Sequence, residues 1–351
     1  MTVKVLIVDD SAFMRNALST MLSSDHEISV VGTARDGIEA VEKVASLSPD
    51  VVTMDVEMPR MDGIAALKHI MAENPVPVIM VSSLTVDGAK VTLDALDFGA
   101  VDFIPKNLSE LSINIVKIKE LLLDKVKQIG RKGLARKRSG PVVRPAAPAV
   151  VMHPPVRTTG ERRIGIVAIG TSTGGPRALQ DIIPKLPKDF PVPIVIAQHM
   201  PPNFTGPFAE RLDQLSQITV KEAVEGEALR PGVAVIAPGR GHMRVKRVRG
   251  IDTIVSISED RENYTYRPSV DALMMTVAEY FPGRALGVIL TGMGNDGLNG
   301  LIALKKTGGR VFAQDEETCV VYGMPKAVVE AGIADKVLPI EAMAGEIVNS
   351  V

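Results

Sequence analysis

Tryptophan is absent from the 351-residue chain, and aromatic residues amount to four tyrosines and eight phenylalanines. Proteins that hold single-stranded nucleic acid stack bases on aromatic faces, so this composition argues against that class. One cysteine, Cys319, excludes an internal disulfide and a cysteine-cluster metal site. The expected compartment is a reducing cytoplasm. Charge of one sign is also lacking: 40 Lys and Arg stand against 41 Asp and Glu, which gives no global support to nucleic-acid binding. No apolar run approaches the ~20 residues needed to cross a bilayer. The first apolar run ends at Asp9 and Asp10, too short for a signal-peptide core followed by a cleavage site. What is present, 46% hydrophobic and 23% charged residues, is ordinary for globular protein. At roughly 150 residues per domain, the length suggests two domains.

Basic residues are concentrated in one stretch. Between Gln128 and Arg163 there are nine Lys and Arg against one acid, Glu161, together with five prolines. From Ser139 to Gly160 no helical or strand period is sustained. This reads as a semi-extended linker, 128–162, between a first domain at 1–127 and a second at 163–351.

In the first domain short apolar runs alternate with helical patterns. Strands are expected at 3–8, 28–32, 51–54, 77–81 and 101–104. Helices are expected after an N-cap at Ser11 and at 37–47, 63–72, 87–97 and 111–127. Five such units imply a five-stranded parallel sheet with helices on both faces. The second domain reads as a three-layer α/β fold, mostly parallel. Its exception is an antiparallel hairpin turning at Arg249-Gly250-Ile251-Asp252.

Ligands of open α/β sheets sit beyond the carboxyl ends of the strands. In the first domain those ends carry Asp9 and Asp10, Asp55, Ser82 and Lys106. Clustered carboxylates need a hard cation, and Mg²⁺ suits oxygen ligands. One carboxylate could then attack a phosphoryl donor, with Ser82 and Lys106 steadying its oxygens. Asp9-Asp10, Met54-Asp55-Val56-Glu57-Met58-Pro59, Met61-Asp62-Gly63, Ser82 and Lys106 strongly resemble the receiver domain of bacterial response regulators, over about 125 residues. The resemblance implies a flavodoxin-like fold. It makes Asp55 the phosphoacceptor, Asp9, Asp10 and Asp55 with the Glu57 carbonyl the Mg²⁺ ligands, and Phe103 the aromatic reporter of activation. Many receivers have Pro directly after the Lys; here Asn107 follows it and Pro105 precedes it.

The second domain opens with Gly170-Thr171-Ser172-Thr173-Gly174-Gly175-Pro176 after an apolar strand. This satisfies Gly-x-Ser-x-Gly, in which a serine stands on a tight strand-to-helix turn beside free N–H groups. Two histidines of this domain follow strands, His199 and His242. Spacing favours His199 slightly, because it abuts its strand more closely. Asp296, in Thr291-Gly-Met-Gly-Asn-Asp-Gly297, would orient the base. The resulting order Ser, His, Asp differs from the Ser, Asp, His of α/β-hydrolases. Gly292-x-Gly294-x-x-Gly297 is also a dinucleotide fingerprint, with an acid, Asp315, 18 residues further on. Motif mechanics alone weigh serine hydrolysis and cofactor binding about evenly.

Gly170–Pro176, Gln198-His-Met-Pro-Pro-Asn-Phe-Thr205, Ala237-Pro-Gly239 with His242-Met243, Thr291–Gly297 and Gln314-Asp315 through Pro325 resemble the catalytic domain of chemotaxis protein-glutamate methylesterases, from about Ile164 onward. Receiver, linker and this domain follow the same order there. The resemblance implies a Ser172, His199, Asp296 triad, oxyanion donors at the Thr173 and Met293 backbone N–H groups, and no cofactor for the esterase. It implies methyl-accepting chemotaxis receptors as substrates, glutamine deamidation as a second activity, and a chemotaxis histidine kinase as phosphate source. Two other readings are a receiver-regulated dinucleotide-dependent oxidoreductase and a DNA-binding response regulator. The second lacks any helix-turn-helix pattern.

Overall fold

The computed structural model describes residues 2–82, 85–106, 115–139, 163–248, 253–259 and 264–351. It forms two compact units, Met1–Arg144 and Pro145–Val351.

The first unit runs β1 (Val3–Val8), α1 (Ala12–Ser23), β2 (Ile28–Ala34), α2 (Gly37–Leu47), β3 (Val51–Asp55), α3 (Gly63–Glu73), β4 (Val78–Ser82), α4 (Val86–Asp97), β5 (Asp102–Pro105) and α5 (Ile115–Ser139). Its sheet has the order β2-β1-β3-β4-β5, with every pair parallel, as expected. β3 and β4 are buried along their whole length, which a parallel sheet covered on both faces requires. Ser11, Asp36, Asp62 and Thr85 cap four of the helices, each side chain accepting from the N–H three residues on. Each cap is worth ~1 kcal/mol. Gly63 brings α3 against the end of β3, since a Cβ there would lie 1.9 Å from the Asp55 carbonyl oxygen.

The largest departure from expectation is α5, which continues past Lys127 to Ser139. The first part of the stretch read as linker is therefore helix. Ile129 is buried, and Gly130 lies so close to β1 that a Cβ would meet Val3 Cγ1 at 2.3 Å. Arg131 pairs with Glu27. The basic residues extend a helix already anchored on the sheet, and charge alone did not mark its end. The rest of the expected linker, with His153, lies outside the described residues, as do Asn107 and the expected hairpin turn at 249–252.

The second unit runs β6 (Ile166–Thr171), α6 (Gly175–Ile182), a 3₁₀ turn (Ile183–Lys185), β7 (Ile194–Gln198), α7 (Pro202–Leu215), β8 (Thr219–Glu222), β9 (Val233–Ile236), β10 (His242–Arg247), β11 (Thr253–Ser258), α8 (Val270–Tyr280), β12 (Ala285–Ile289), α9 (Leu298–Lys306), β13 (Arg310–Gln314), α10 (Met324–Glu330), β14 (Lys336–Leu338) and α11 (Ile340–Ser350). Seven strands form a parallel sheet in the order β14-β13-β12-β6-β7-β9-β8, and β10 and β11 pair antiparallel as a separate two-stranded sheet. The chain leaves β6 towards β7 and later returns to β12 on its other side. That reversal is the topological switch point where such sheets open a crevice. β6, β7 and β12 are buried throughout. Among the described residues, no helix is long and apolar enough to cross a membrane.

Candidate functional site

In the first unit, carboxylate oxygens of Asp9, Asp10 and Asp55 lie within 4.8 Å of one another. Lys106, just past β5, places Nζ 2.5 Å from Asp55 Oδ2 and 3.3 Å from Asp9 Oδ2. Asp9 Oδ1 accepts the Ser11 N–H at 2.9 Å, and its buried Oδ2 faces the Lys106 ammonium. Burial, joined by the charges of Asp9 and Asp10, raises Asp55 to about 6 in spite of Lys106. Burial works to lower Lys106, but Asp55 and Asp9 outweigh it and hold the ammonium above its usual range. Three carboxylates converging within 4.8 Å, two of them buried, form an oxygen-rich cluster that fits a small hard cation. The Glu57 side chain is exposed and outside this cluster.

Ser82 ends β4 with its hydroxyl 2.6 Å from Thr92 Oγ1 of α4, a partner the sequence did not indicate. Phe103 is buried on β5. Lys125 of α5 donates to the Phe103 carbonyl at 3.1 Å and pairs with Asp102 at 2.6 Å.

The raised Asp55 has a consequence for stability. Between about pH 4 and pH 6 the folded chain keeps a proton that the unfolded chain has released, so stability declines as pH rises across that window. Asp55→Asn is expected to remove the decline. Melting temperature against pH in metal-free buffer should show the variant gaining on the wild type from pH 4 to pH 6. Parallel curves would rule out an unfavourable Asp55 charge.

In the second unit, the ends of three adjacent strands meet. Ser172 follows β6, His199 follows β7 and Asp296 lies in the turn after β12. Ser172 Oγ stands 3.2 Å from His199 Nδ1, and His199 Nε2 stands 2.8 Å from Asp296 Oδ2. The carboxylate fixes the tautomer with hydrogen on Nε2 and leaves Nδ1 to accept the serine proton. The ring thus faces the opposite way from chymotrypsin-type triads, where Nε2 meets the serine.

Asp296 is held at the start of α8. Its Oδ1 accepts Ser269 Oγ–H at 3.0 Å and Asp271 N–H at 3.1 Å, and its Oδ2 accepts Val270 N–H at 2.7 Å. Burial acts to raise its pKa. The His199 contact and these N–H donors overcome that and hold it below the usual carboxylate range.

The Thr173 and Met293 N–H groups donate to no acceptor among the described residues. Gly292 makes their approach feasible: a Cβ there would meet Met324 Sδ at 2.3 Å and Ser172 Cβ at 2.9 Å.

A family model described as CheB methylesterase matches residues 167–347, and one described as response regulator receiver domain matches residues 5–115. The chain belongs to the CheB methylesterase family. It is 53% identical to a protein-glutamate methylesterase/protein-glutamine glutaminase of Oleidesulfovibrio alaskensis, over 99% of each chain. It is 45% identical to one from Pyrococcus abyssi, covering 99% of this chain and 94% of that one. The crystal structure of the Thermotoga maritima CheB methylesterase catalytic domain is 47% identical. That match covers 54% of this chain and all of the other, with a TM-score of 0.52.

CheB methylesterase membership and local geometry together decide against the dinucleotide reading. Beside Gly294, the glycine at which a pyrophosphate would approach, the Tyr266 hydroxyl lies 3.1 Å from where a Cβ would stand, and the turn glycine Gly292 packs on Ser172 and Met324. Asp315, the fingerprint's acid, caps its own turn through Thr318 N–H at 2.9 Å and Thr318 Oγ1 at 2.5 Å. His242 is also accounted for: its Nδ1 accepts the Ser269 N–H at 3.0 Å, one residue behind the Asp296 anchor.

Contacts that motif reading did not indicate surround Ser172 and His199. The Tyr266 ring stacks on His199 with centroids 4.5 Å apart and planes 11° apart. Thr291 accepts Ser172 N–H on its carbonyl at 3.0 Å and donates its hydroxyl to the Thr173 carbonyl at 2.8 Å. Tyr266 lies well before Asp296 in the chain and outside any catalytic motif, so no sequence signal marked it.

Proposed function

We propose that the chain hydrolyses glutamate methyl esters on methyl-accepting chemotaxis receptors, and deamidates receptor glutamines, through Ser172, His199 and Asp296. Full-length resemblance to methylesterase/glutaminases supports the substrate class. The observation that carries the mechanism is the continuous Ser172–His199–Asp296 hydrogen-bonded line. Ser172 Oγ attacks the ester carbonyl carbon while its proton passes to His199 Nδ1. The tetrahedral oxyanion is received by the free Thr173 and Met293 N–H groups. Collapse breaks the C–O bond to the methoxy group, which takes the proton from His199 and leaves as methanol. Water then enters by the reverse route, freeing the glutamate carboxylate and Ser172. With a glutamine side chain, ammonia leaves instead. Asp296 holds the ring and balances the imidazolium charge.

The catalytic domain is taken as 163–351 and the receiver as 1–127 together with the continuation of α5 to Ser139, both working in the cytoplasm. In the receiver, Asp55 accepts phosphate from a chemotaxis histidine kinase. Asp9, Asp10 and Asp55, with the Glu57 carbonyl, would hold Mg²⁺. That ion would neutralise the carboxylates and the incoming phosphoryl oxygens. Lys106 and Ser82 steady the phosphoryl group. Ser82 and Phe103, tied to α4 and α5 through Thr92 and Lys125, report it to the receiver's surface.

The test is methanol release from methylated receptor cytoplasmic fragments. Acetyl phosphate with Mg²⁺ is expected to raise the rate of the wild type and leave Asp55→Asn at its basal rate. Equal stimulation of both would remove Asp55 from the phosphoacceptor role. No methanol from either would overturn the esterase reading.

A further inference from the structure

The oxyanion donors named above belong to two peptide units, 172–173 and 292–293. In a planar trans peptide the C=O and the following N–H point in opposite directions, so fixing the oxygen fixes the hydrogen. Both oxygens are fixed. The Gly292 carbonyl accepts the Gly323 and Met324 N–H groups at 3.0 and 2.9 Å. The Ser172 carbonyl accepts the Gly175 N–H at 2.8 Å and the Gln198 side-chain amide at 3.0 Å. Three of these four donors are backbone; Gln198 is the side chain among them.

Gln198 is the last residue of β7, paired in register with Thr171 and 2% exposed. Its Nε2 also reaches the His199 carbonyl at 3.0 Å, so one amide group grips the backbones of serine and histidine together. Its Oε1 is buried without a hydrogen-bond partner. An unpaired buried carbonyl oxygen is destabilising, and an apolar side chain of the same size would avoid it. The amide's contribution is therefore its two donated hydrogen bonds. Accepting a hydrogen bond also polarises a peptide and makes its N–H a stronger donor.

We infer that Gln198 is a positioning residue that sets the oxyanion hole, by orienting and polarising the Ser172–Thr173 peptide so that the Thr173 N–H faces the developing negative charge. This rests on Ser172 being the nucleophile and Thr173 N–H an oxyanion donor.

The experiment uses the full chain with methylated receptor fragments and compares Gln198→Met, Gly175→Ala and Ser172→Ala. Met keeps the size and removes both donors. Ala at position 175 presses on the same amide from the other side, its Cβ falling 2.0 Å from Gln198 Oε1, but also 2.5 Å from Thr171 Oγ1, so Gln198→Met is the variant that isolates the amide. Outright loss of an oxyanion donor costs roughly 10²–10³ in kcat. Here the Gly175 N–H still holds the peptide, so kcat should fall about 10- to 100-fold with KM within about twofold, for whichever variants keep a cooperative melt. The midpoint of the pH–rate profile should stay at its wild-type position, because the His199–Asp296 pair is intact. An unchanged kcat in a folded variant overturns the inference. A shifted pH midpoint also overturns it, placing Gln198's effect on His199. If neither variant melts cooperatively, the amide is a folding element and the inference fails too. A folded, active Ser172→Ala would instead overturn the serine mechanism itself, which separates the two failures.

Discussion

Ser172→Ala is expected to abolish methanol release to within the residual activity of the oxyanion hole, a loss of about 10⁶ in kcat for a triad nucleophile. The protein should stay folded. Ser172 is only half-buried and sits at a turn, and its N–H to the Thr291 carbonyl at 3.0 Å survives the substitution. Removing one such hydroxyl changes stability by roughly 0.5 kcal/mol. Neither neighbour can substitute for it. Thr171 Oγ1 is committed to the Thr291 carbonyl at 2.9 Å, and Thr173 is buried. The comparison is kcat on methylated receptor fragments together with thermal melting. A folded variant that retains turnover would end the serine mechanism.

Asp296→Asn should be nearly as damaging, and by a different route. The carboxylate accepts from His199, Val270, Asp271 and Ser269. An asparagine can keep only one accepting oxygen. With its NH₂ at the Oδ2 place, it opposes His199 Nε2–H and Val270 N–H. With its NH₂ at the Oδ1 place, it opposes Ser269 O–H and Asp271 N–H. Facing His199 it selects the tautomer with hydrogen on Nδ1, which cannot take the serine proton. A loss of roughly 10⁴ in kcat follows, as in the corresponding protease substitution. A stability loss of about 1–3 kcal/mol accompanies it, because buried donors are left unpaired. His242→Gln should lose far less activity than His199→Gln, since His242 Nδ1 holds the Ser269 N–H and not the serine hydroxyl. Turnover by Asp296→Asn near the wild-type rate would remove the carboxylate from the mechanism.

These outcomes concern residues that stood out in the sequence because the fold places chemistry at strand ends. Apolar runs marked β1, β3, β4, β6, β7 and β12, and the polar residues directly after them were read as the sites. Parallel pairing followed from the alternation of strands and helices, but the order of strands in either sheet was not read. Chemistry contributed from elsewhere was not legible. Tyr266 stacks on His199 from the segment just before α8, and no periodicity reports a long-range ring contact. Ser269 looks like any helix cap, and its second bond, to Asp296, exists only once α8 packs beneath the turn after β12. β14 has three residues and gives no pattern to read. Charge misled at α5, where basic residues suggested a linker although Val126, Ile129 and Gly130 pack the helix onto the sheet.

The position of β12 inside its sheet, between β6 and β13, bears on how the enzyme comes into being. During synthesis β6 and β7 emerge well over one hundred residues before Ser350, and they bring the serine and histidine with them. β6 then presents an unpaired edge on a strand that is buried throughout in the finished fold, until residues 285–289 arrive to cover it. Such an edge is a template for aggregation. Asp296 follows directly behind the strand that covers it. On the proposed mechanism the nascent chain therefore acquires its acid as this edge is closed. A chain interrupted before β12 would be both inert towards receptors and prone to aggregate.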